Sequence, residues 1–150
     1  MNVLFIKYCC LVPYVVVVIA MMGESCLGGS KTMPPFSSWK VVVFNQLSPG
    51  QSLTVHCKSK DNDLGEHSLR VSEKFSWKFK ENLFSTTRFW CGLTSSSKKT
   101  VTMDVFWPER HDWLAYRCNY ATCIWVAQDD GIYIVNVSTN LREFVRKWDN

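Results

Sequence analysis

Through most of its length this chain repeats one pattern, an apolar residue followed by a polar one. Leu53, Val55 and Cys57 alternate with Thr54, His56 and Lys58, and Phe75, Trp77 and Phe79 alternate with Ser76, Lys78 and Lys80. Side chains of an extended backbone point to opposite faces in turn, so such segments turn one face to a core and the other to water. Val41, Val43 and Phe44 begin a further run. TTRFWCGL, TVTMDVFW, paired runs in YRCNYATCIWVA, and GIYIVNV follow, the last entered through Asp129, Asp130 and Gly131. Short strands at this spacing, punctuated by turn residues, predict an all-β fold: a small antiparallel β-sandwich of about seven to eight strands. The tryptophans at 39, 77, 90, 107, 113, 125 and 148 are expected mostly between the sheets, with a minority forming a stacking surface.

One segment has helical spacing. In NLREFVRKW, Leu141, Phe144, Val145 and Trp148 share a helical face, which predicts a short helix in a tail over 138–150; a last strand is the other reading.

The first residues read MNVLFIKYCCLVPYVVVVIAMMGESCLGG: one cation at Lys7, an apolar run to Met22, then small residues. This is the layout of a secretory signal peptide, expected over 1–25, with Pro13 and the small-residue exit arguing against a membrane anchor. Removing 25 residues from 150 leaves 125, enough for one core. A flexible lead-in over 26–38 (KTMPPFSS at its end) and one domain over 39–137 follow. The protein is expected outside the cell, with no stable membrane insertion after cleavage, and monomeric.

The net charge is +4, and the basic residues are scattered, which describes a soluble surface more than a nucleic-acid footprint. Cys57, Cys91, Cys118 and Cys123 lie in the strand-rich body. An even set in an exported domain reads as two disulfides. Sequence leaves the pairing open; a nested arrangement, Cys57 with Cys123 and Cys91 with Cys118, is the expectation. Cys26 sits beside the cleavage point.

The segment VHCKSKDNDLGEH gathers most of the titratable residues that invite a chemical reading. An EF-hand counted from Asp61 needs glycine sixth and a bidentate acid twelfth, but those positions hold Glu66 and Ser72. A looser calcium set of Asp61, Asp63 and Glu66 competes with a plain solvated loop. His56 and Cys57 point to opposite faces of a strand, poor geometry for shared zinc. The histidines are His56, His67 and His111, and no nucleophile elbow or phosphate loop frames them. No cofactor and no catalytic or metal site is expected. What remains is a mixed-charge loop behind a cysteine, with Lys58, Lys60 and His67 set against Asp61, Asp63 and Glu66 around Asn62, a composition suited to protein recognition.

Four blocks in order carry a family resemblance. They are His56-Cys57-Lys58-Ser59 leading to Asp61, Asp63, Leu64 and Gly65; Trp77, Phe79 and Asn82; Phe89-Trp90-Cys91; and Cys123 and Trp125 before Asp130-Gly131-Ile132-Tyr133. From about Val41 to Val135 the chain resembles the plant self-incompatibility protein S1 family, the S-protein homologues. The resemblance implies a small secreted β-sandwich with two disulfides and no known enzymatic activity. Some members act as female-side determinants read by pollen.

A secreted recognition ligand for a cell-surface receptor is therefore expected, with Lys58–His67, Thr94–Lys99 and Glu109–Asp112 as contact loops. The rival is a defence factor that binds glycans or membranes through exposed tryptophans and a basic tail of Arg142, Arg146 and Lys147. The sequon Asn136-Val137-Ser138 offers a glycosylation acceptor at Asn136. Losing one body cysteine should cost about 2–5 kcal/mol, comparable to the stability of a small domain. Cys57→Ser is expected to abolish secretion from plant cells; normal secretion of the folded variant would count against the disulfide assignment.

Overall fold

The computed structural model describes residues 38–82, 84, 86–108 and 112–149. The expected signal peptide, Cys26 and all of the lead-in but Ser38 lie outside the described residues, as do Glu109, Arg110 and His111 of the third contact loop.

The alternating segments form strands β1 (Ser38–Asn45), β2 (Leu53–Ser59), β3 (Asp63–Leu69), β4 (Lys74–Lys80), β5 (Phe89–Ser95), β6 (Thr100–Phe106), β7 (Thr122–Gln128), β8 (Gly131–Asn136) and β9 (Leu141–Arg146). A short helix α1 (Trp113–Arg117) precedes β7. One sheet has the order β4-β1-β7-β8-β9 and the other β3-β2-β5-β6. Pairing is antiparallel except between β1 and β7, which run parallel. A parallel pair needs a long crossover, here everything from β2 to α1.

Burial follows the alternation. In β2, Leu53, Val55 and Cys57 are buried while Thr54, His56 and Lys58 are half-buried on the other face. Val41, Val43, Ile132 and Ile134 from the larger sheet join Val55, Leu93, Val101 and Val105 from the smaller one in a single core. Trp125 lies in this layer, and its indole N–H donates to the carbonyl of Val105 across the sheets at 2.9 Å. Asn45, fully buried, ties the end of β1 to the end of β3 by donating to the Leu69 carbonyl at 2.9 Å. At one side of the core, Phe79 packs against Phe89 and Phe106 at 4.6 and 4.7 Å between ring centres.

Both disulfides form, in a pairing other than the nested one. Cys57 and Cys91 face each other directly across β2 and β5, with Cα atoms 4.0 Å apart. Cys118 and Cys123 flank the turn between α1 and β7, with Cα atoms 4.4 Å apart. Strand register decides the first pair and local chain reversal the second, and neither is visible as spacing.

The expected C-terminal helix is instead strand β9, paired with β8 from Ile132↔Arg146 to Asn136↔Leu141. Phe144 lies edge-on to Tyr133, at 5.4 Å between ring centres. The chain then turns inward: Trp148 is buried, and its indole donates to the Gln128 carbonyl at 2.8 Å. Asp149 bridges to Thr100 at the edge of β6. Pairing along the β8 edge outweighs the helical spacing of the apolar residues, an instance of tertiary context overriding local pattern.

Glycine serves two different ends in this framework. A Cβ on Gly131 would lie 2.7 Å from Phe144 Cε2 and closer still to the carbonyl of Arg146, part of the backbone of β9. A Cβ on Gly92 would meet nothing nearer than Thr102 Oγ1 at 3.9 Å. Gly131→Ala is therefore expected to destabilise the fold by about 1–3 kcal/mol, as overpacking does. Gly92→Ala should leave the thermal midpoint nearly unchanged; equal losses in the two variants would contradict this reading of the β8–β9 contact.

Candidate recognition surface

The segment expected as a recognition loop is mostly strand. Lys58 and Ser59 end β2, Lys60, Asp61 and Asn62 make a tight turn, and Asp63 to His67 belong to β3. The amide of Ser59 donates to the Asn62 carbonyl at 2.7 Å, and that of Asn62 to Ser59 Oγ at 3.1 Å, so the turn closes on itself.

A bulge between His56 and Lys58 in the pairing with β3 follows from Gly65, whose φ of 78° lies in the left-handed region. Asp63 stabilises the bulge. Its Oδ1 accepts from the Gly65 amide at 2.9 Å and lies 2.7 Å from His56 Nε2, while Oδ2 lies 2.9 Å from Lys58 Nζ. The hydrogen bond from Lys58, then those from Gly65 and His56, hold the Asp63 carboxyl well below the usual carboxylate range.

The expected contact residues therefore separate. Lys60, Asp61 and Asn62 are exposed at the turn, and Glu66 is exposed on β3. Lys58 and Asp63 are occupied by each other. His67 faces the seam between β3 and β4, where it stacks on Phe75 at 3.8 Å between ring centres and its Nε2 lies 3.0 Å from the Leu64 carbonyl. His56 and His67 stand on opposite faces of the sheet, so no acid–base pair assembles from them. Among the described residues no group of three His, Cys, Asp or Glu is placed to hold a metal ion.

Nor do the three expected contact loops come together. Ser59 pairs with Phe89 at the start of β5, whereas Leu53 pairs with Ser95 at its end, so the turn at 60–62 and the segment Thr94–Lys99 lie at opposite ends of the smaller sheet. The latter is also tied down: Ser95 Oγ accepts from the Lys99 amide at 3.1 Å, and Lys99 Nζ donates to the Asp129 carbonyl at 2.6 Å. Asp129 in turn accepts from the backbone amide and the hydroxyl of Ser48, which lowers its carboxyl pKa. Asp112, the described end of the third loop, starts α1 with a φ of 52°.

In the basic tail Arg142 and Lys147 are exposed, whereas Arg146 is tied into the fold. Arg146 reaches Asp149 Oδ1 at 2.9 Å and the Thr102 carbonyl at 3.2 Å. The acceptor of the sequon, Asn136, is only 6% exposed, and its Nδ2 donates to Glu143 Oε1 at 3.2 Å. Glu143 also holds Arg117 of α1, at 2.6 Å, so a glycan on Asn136 would have to displace part of this link.

What loop-based reasoning overlooked is the outer face of β5. Cys91 and Leu93 point inward, which turns Trp90 and Gly92 outward; the parity of FWCGL already contains that information. Beside Trp90, Arg88 forms a two-point pair with Asp104 through Nε and Nη2, at 2.9 and 2.7 Å.

The model of the family described as plant self-incompatibility protein S1 matches residues 40–148. S-protein homolog 1 of Arabidopsis thaliana is 39% identical over 127 residues, covering 82% of each chain. Self-incompatibility protein S1 of Papaver rhoeas is 33% identical over 104 residues, covering 69% of this chain and 73% of its own. A solved self-incompatibility protein homologue, described as one of a widespread family of small, highly stable, secreted plant proteins, superposes with a TM-score of 0.54 at 20% identity, over 77% of this chain and 97% of its own. The chain belongs to the plant self-incompatibility protein S1 family. It is a self-incompatibility S-protein homologue, a small secreted plant protein of all-β fold with two disulfides.

A folded carboxyl that is a stronger acid than its unfolded counterpart contributes stability above the ordinary Asp pKa of about 3.9, and that stability is lost as pH falls through the lowered folded value. Asp63→Ala should therefore remove part of the acid-side loss of stability and speed hydrogen exchange at the Gly65 amide. Asp61→Ala should do neither; exchange at Gly65 that is indifferent to Asp63 would show that the carboxyl does not hold the bulge.

Proposed function

We propose that this protein is a secreted recognition ligand, without enzymatic activity, that engages a receptor-type protein at the surface of another cell. The reading rests chiefly on the β2–β3 turn. Lys60, Asp61 and Asn62 are exposed there, and among the described residues neither the Lys60 ammonium nor the Asp61 carboxylate has an ion-pair partner. The turn stands on a hairpin fixed by the Asp63 contacts and by the Cys57–Cys91 disulfide behind it. A rigid support lowers the ordering cost of binding, and unpaired charges on it supply specificity. Family membership supports a receptor-type partner in general terms.

The structure narrows the residues on which to test this. Exchanging Lys60, Asp61 and Asn62 for a neutral turn, with Asp63 retained, should abolish saturable binding of the oxidised protein to partner-cell membranes while leaving the thermal midpoint unchanged. Undiminished binding by the exchanged protein would remove the turn from the contact.

A further inference from the structure

Two grooves meet at Trp90, on the outer side of β5. The first, of about 620 Å³, runs between the β2–β3 turn and the β4–β5 connection and includes Lys60, Lys80, Thr87, Arg88 and Trp90 in its walls. The second, of about 500 Å³, continues from the shared Arg88 and Trp90 to Thr102, Asp104 and Arg146. Together they make one elongated track with the half-buried Trp90 at its junction.

Three properties of this track point to one kind of ligand. The first is charge. Arg88 is neutralised by Asp104 and Arg146 by Asp149, while among the described residues no ion-pair partner reaches Lys60, Lys80 or Asp61, all exposed, so the first groove carries two unpaired ammonium groups against one unpaired carboxylate. The second is the ring. Trp90 turns outward on β5 and is half-buried, and Gly92, the next residue on the same face, brings no side chain to that face. The third is backbone saturation. β5, the strand that carries Trp90, is hydrogen-bonded on both sides, by β2 and β6, so no peptide can add to the strand beneath the ring. A flat aromatic surface flanked by hydroxyls and free ammonium groups suits a pyranose ring bearing a carboxylate.

We propose that this track binds a linear acidic oligosaccharide of the uronic acid class, with a sugar stacked on Trp90 and carboxylates directed to Lys60 and Lys80. The site shares Lys60 with the receptor reading but not Trp90, which lies outside the β2–β3 turn and whose replacement leaves that turn in place.

The test is calorimetric titration of the oxidised mature protein with a linear oligomer of galacturonic acid, its methyl ester and poly-glutamate of similar length. Melting curves accompany each variant. Saturable binding of the free acid is expected, weakened by salt and weaker for the ester. Trp90→Ala should cost about tenfold in affinity, the scale of one lost stacking contact. Lys60→Glu with Lys80→Glu should reduce affinity at least as much and flatten the salt dependence, with unchanged melting in both variants. No saturable binding, affinity unaffected by Trp90→Ala, or equal affinity for poly-glutamate would each overturn the proposal, the last by showing that the lysines read charge on an acidic chain. Binding to partner-cell membranes that survives Trp90→Ala, alongside lost oligomer binding, would separate this site from the receptor contact.

Discussion

Val41, Val43, Ile132 and Ile134 meet Val55, Leu93, Val101 and Val105 in a single apolar layer, and each sheet contributes only one face to it. The inner faces are apolar because every second residue is, and the sheets cannot be parted without exposing both faces to water. Trp125 fills the middle, and its indole N–H finds the Val105 carbonyl, so the one polar atom it brings inside is satisfied. The Cys57–Cys91 bond lies within this layer and fixes β2 against β5. The outward residues of those strands, His56, Lys58, Trp90 and Gly92, inherit their relative positions from that register.

Because register is fixed beneath it, the surface holds ordered polar detail on short loops. The β2–β3 hairpin is shaped by one glycine at positive φ and one carboxylate. The turn before β8 is held by Asp129 against Ser48, and the end of β9 by Arg146 and Asp149. The contact of Asp129 with Ser48 joins segments 81 residues apart in sequence, so the perimeter is tied together there as well as in the core. The turn at 60–62 and the face around Trp90, the two surfaces proposed for partners, both rest on this ordered framework.

Much of the fold could be read from period two alone, because β2, β5 and β7 lie inside their sheets and carry a clean inner face. The reading failed at the edges. β3 (DLGEHSL) buries little beyond Leu69, so its residues resemble a loop, and its strand character comes entirely from pairing with β2. β9 carries Leu141 and Phe144 exposed at the sheet's margin, and their spacing with Val145 and Trp148 imitates a helix. The Cys57–Cys91 pair depends on which strands are neighbours, a long-range fact that no local pattern contains. For the site, the turn at Lys60–Asn62 was legible as a charged punctuation, whereas the loss of Asp63 and His67 to internal contacts required the hairpin's geometry. Trp90 was within reach of the same parity argument that placed Cys91 inside.

The parallel pairing of β1 with β7 sets a timetable for a chain made from its N-terminus and passed out of the cell as it grows. All four strands of the smaller sheet, with both halves of the Cys57–Cys91 bond, lie before residue 107 and can pair as soon as they emerge. β1 emerges before all of them, yet its second neighbour comes more than seventy residues later, and Trp148 closes the last seam only when synthesis is almost over. Until then the apolar face of the finished sheet has β1 and β4 as its only cover from the larger one. A chain cut short before β7 is left with an oxidised, half-covered sheet, so the exporting compartment is where incomplete copies would betray themselves.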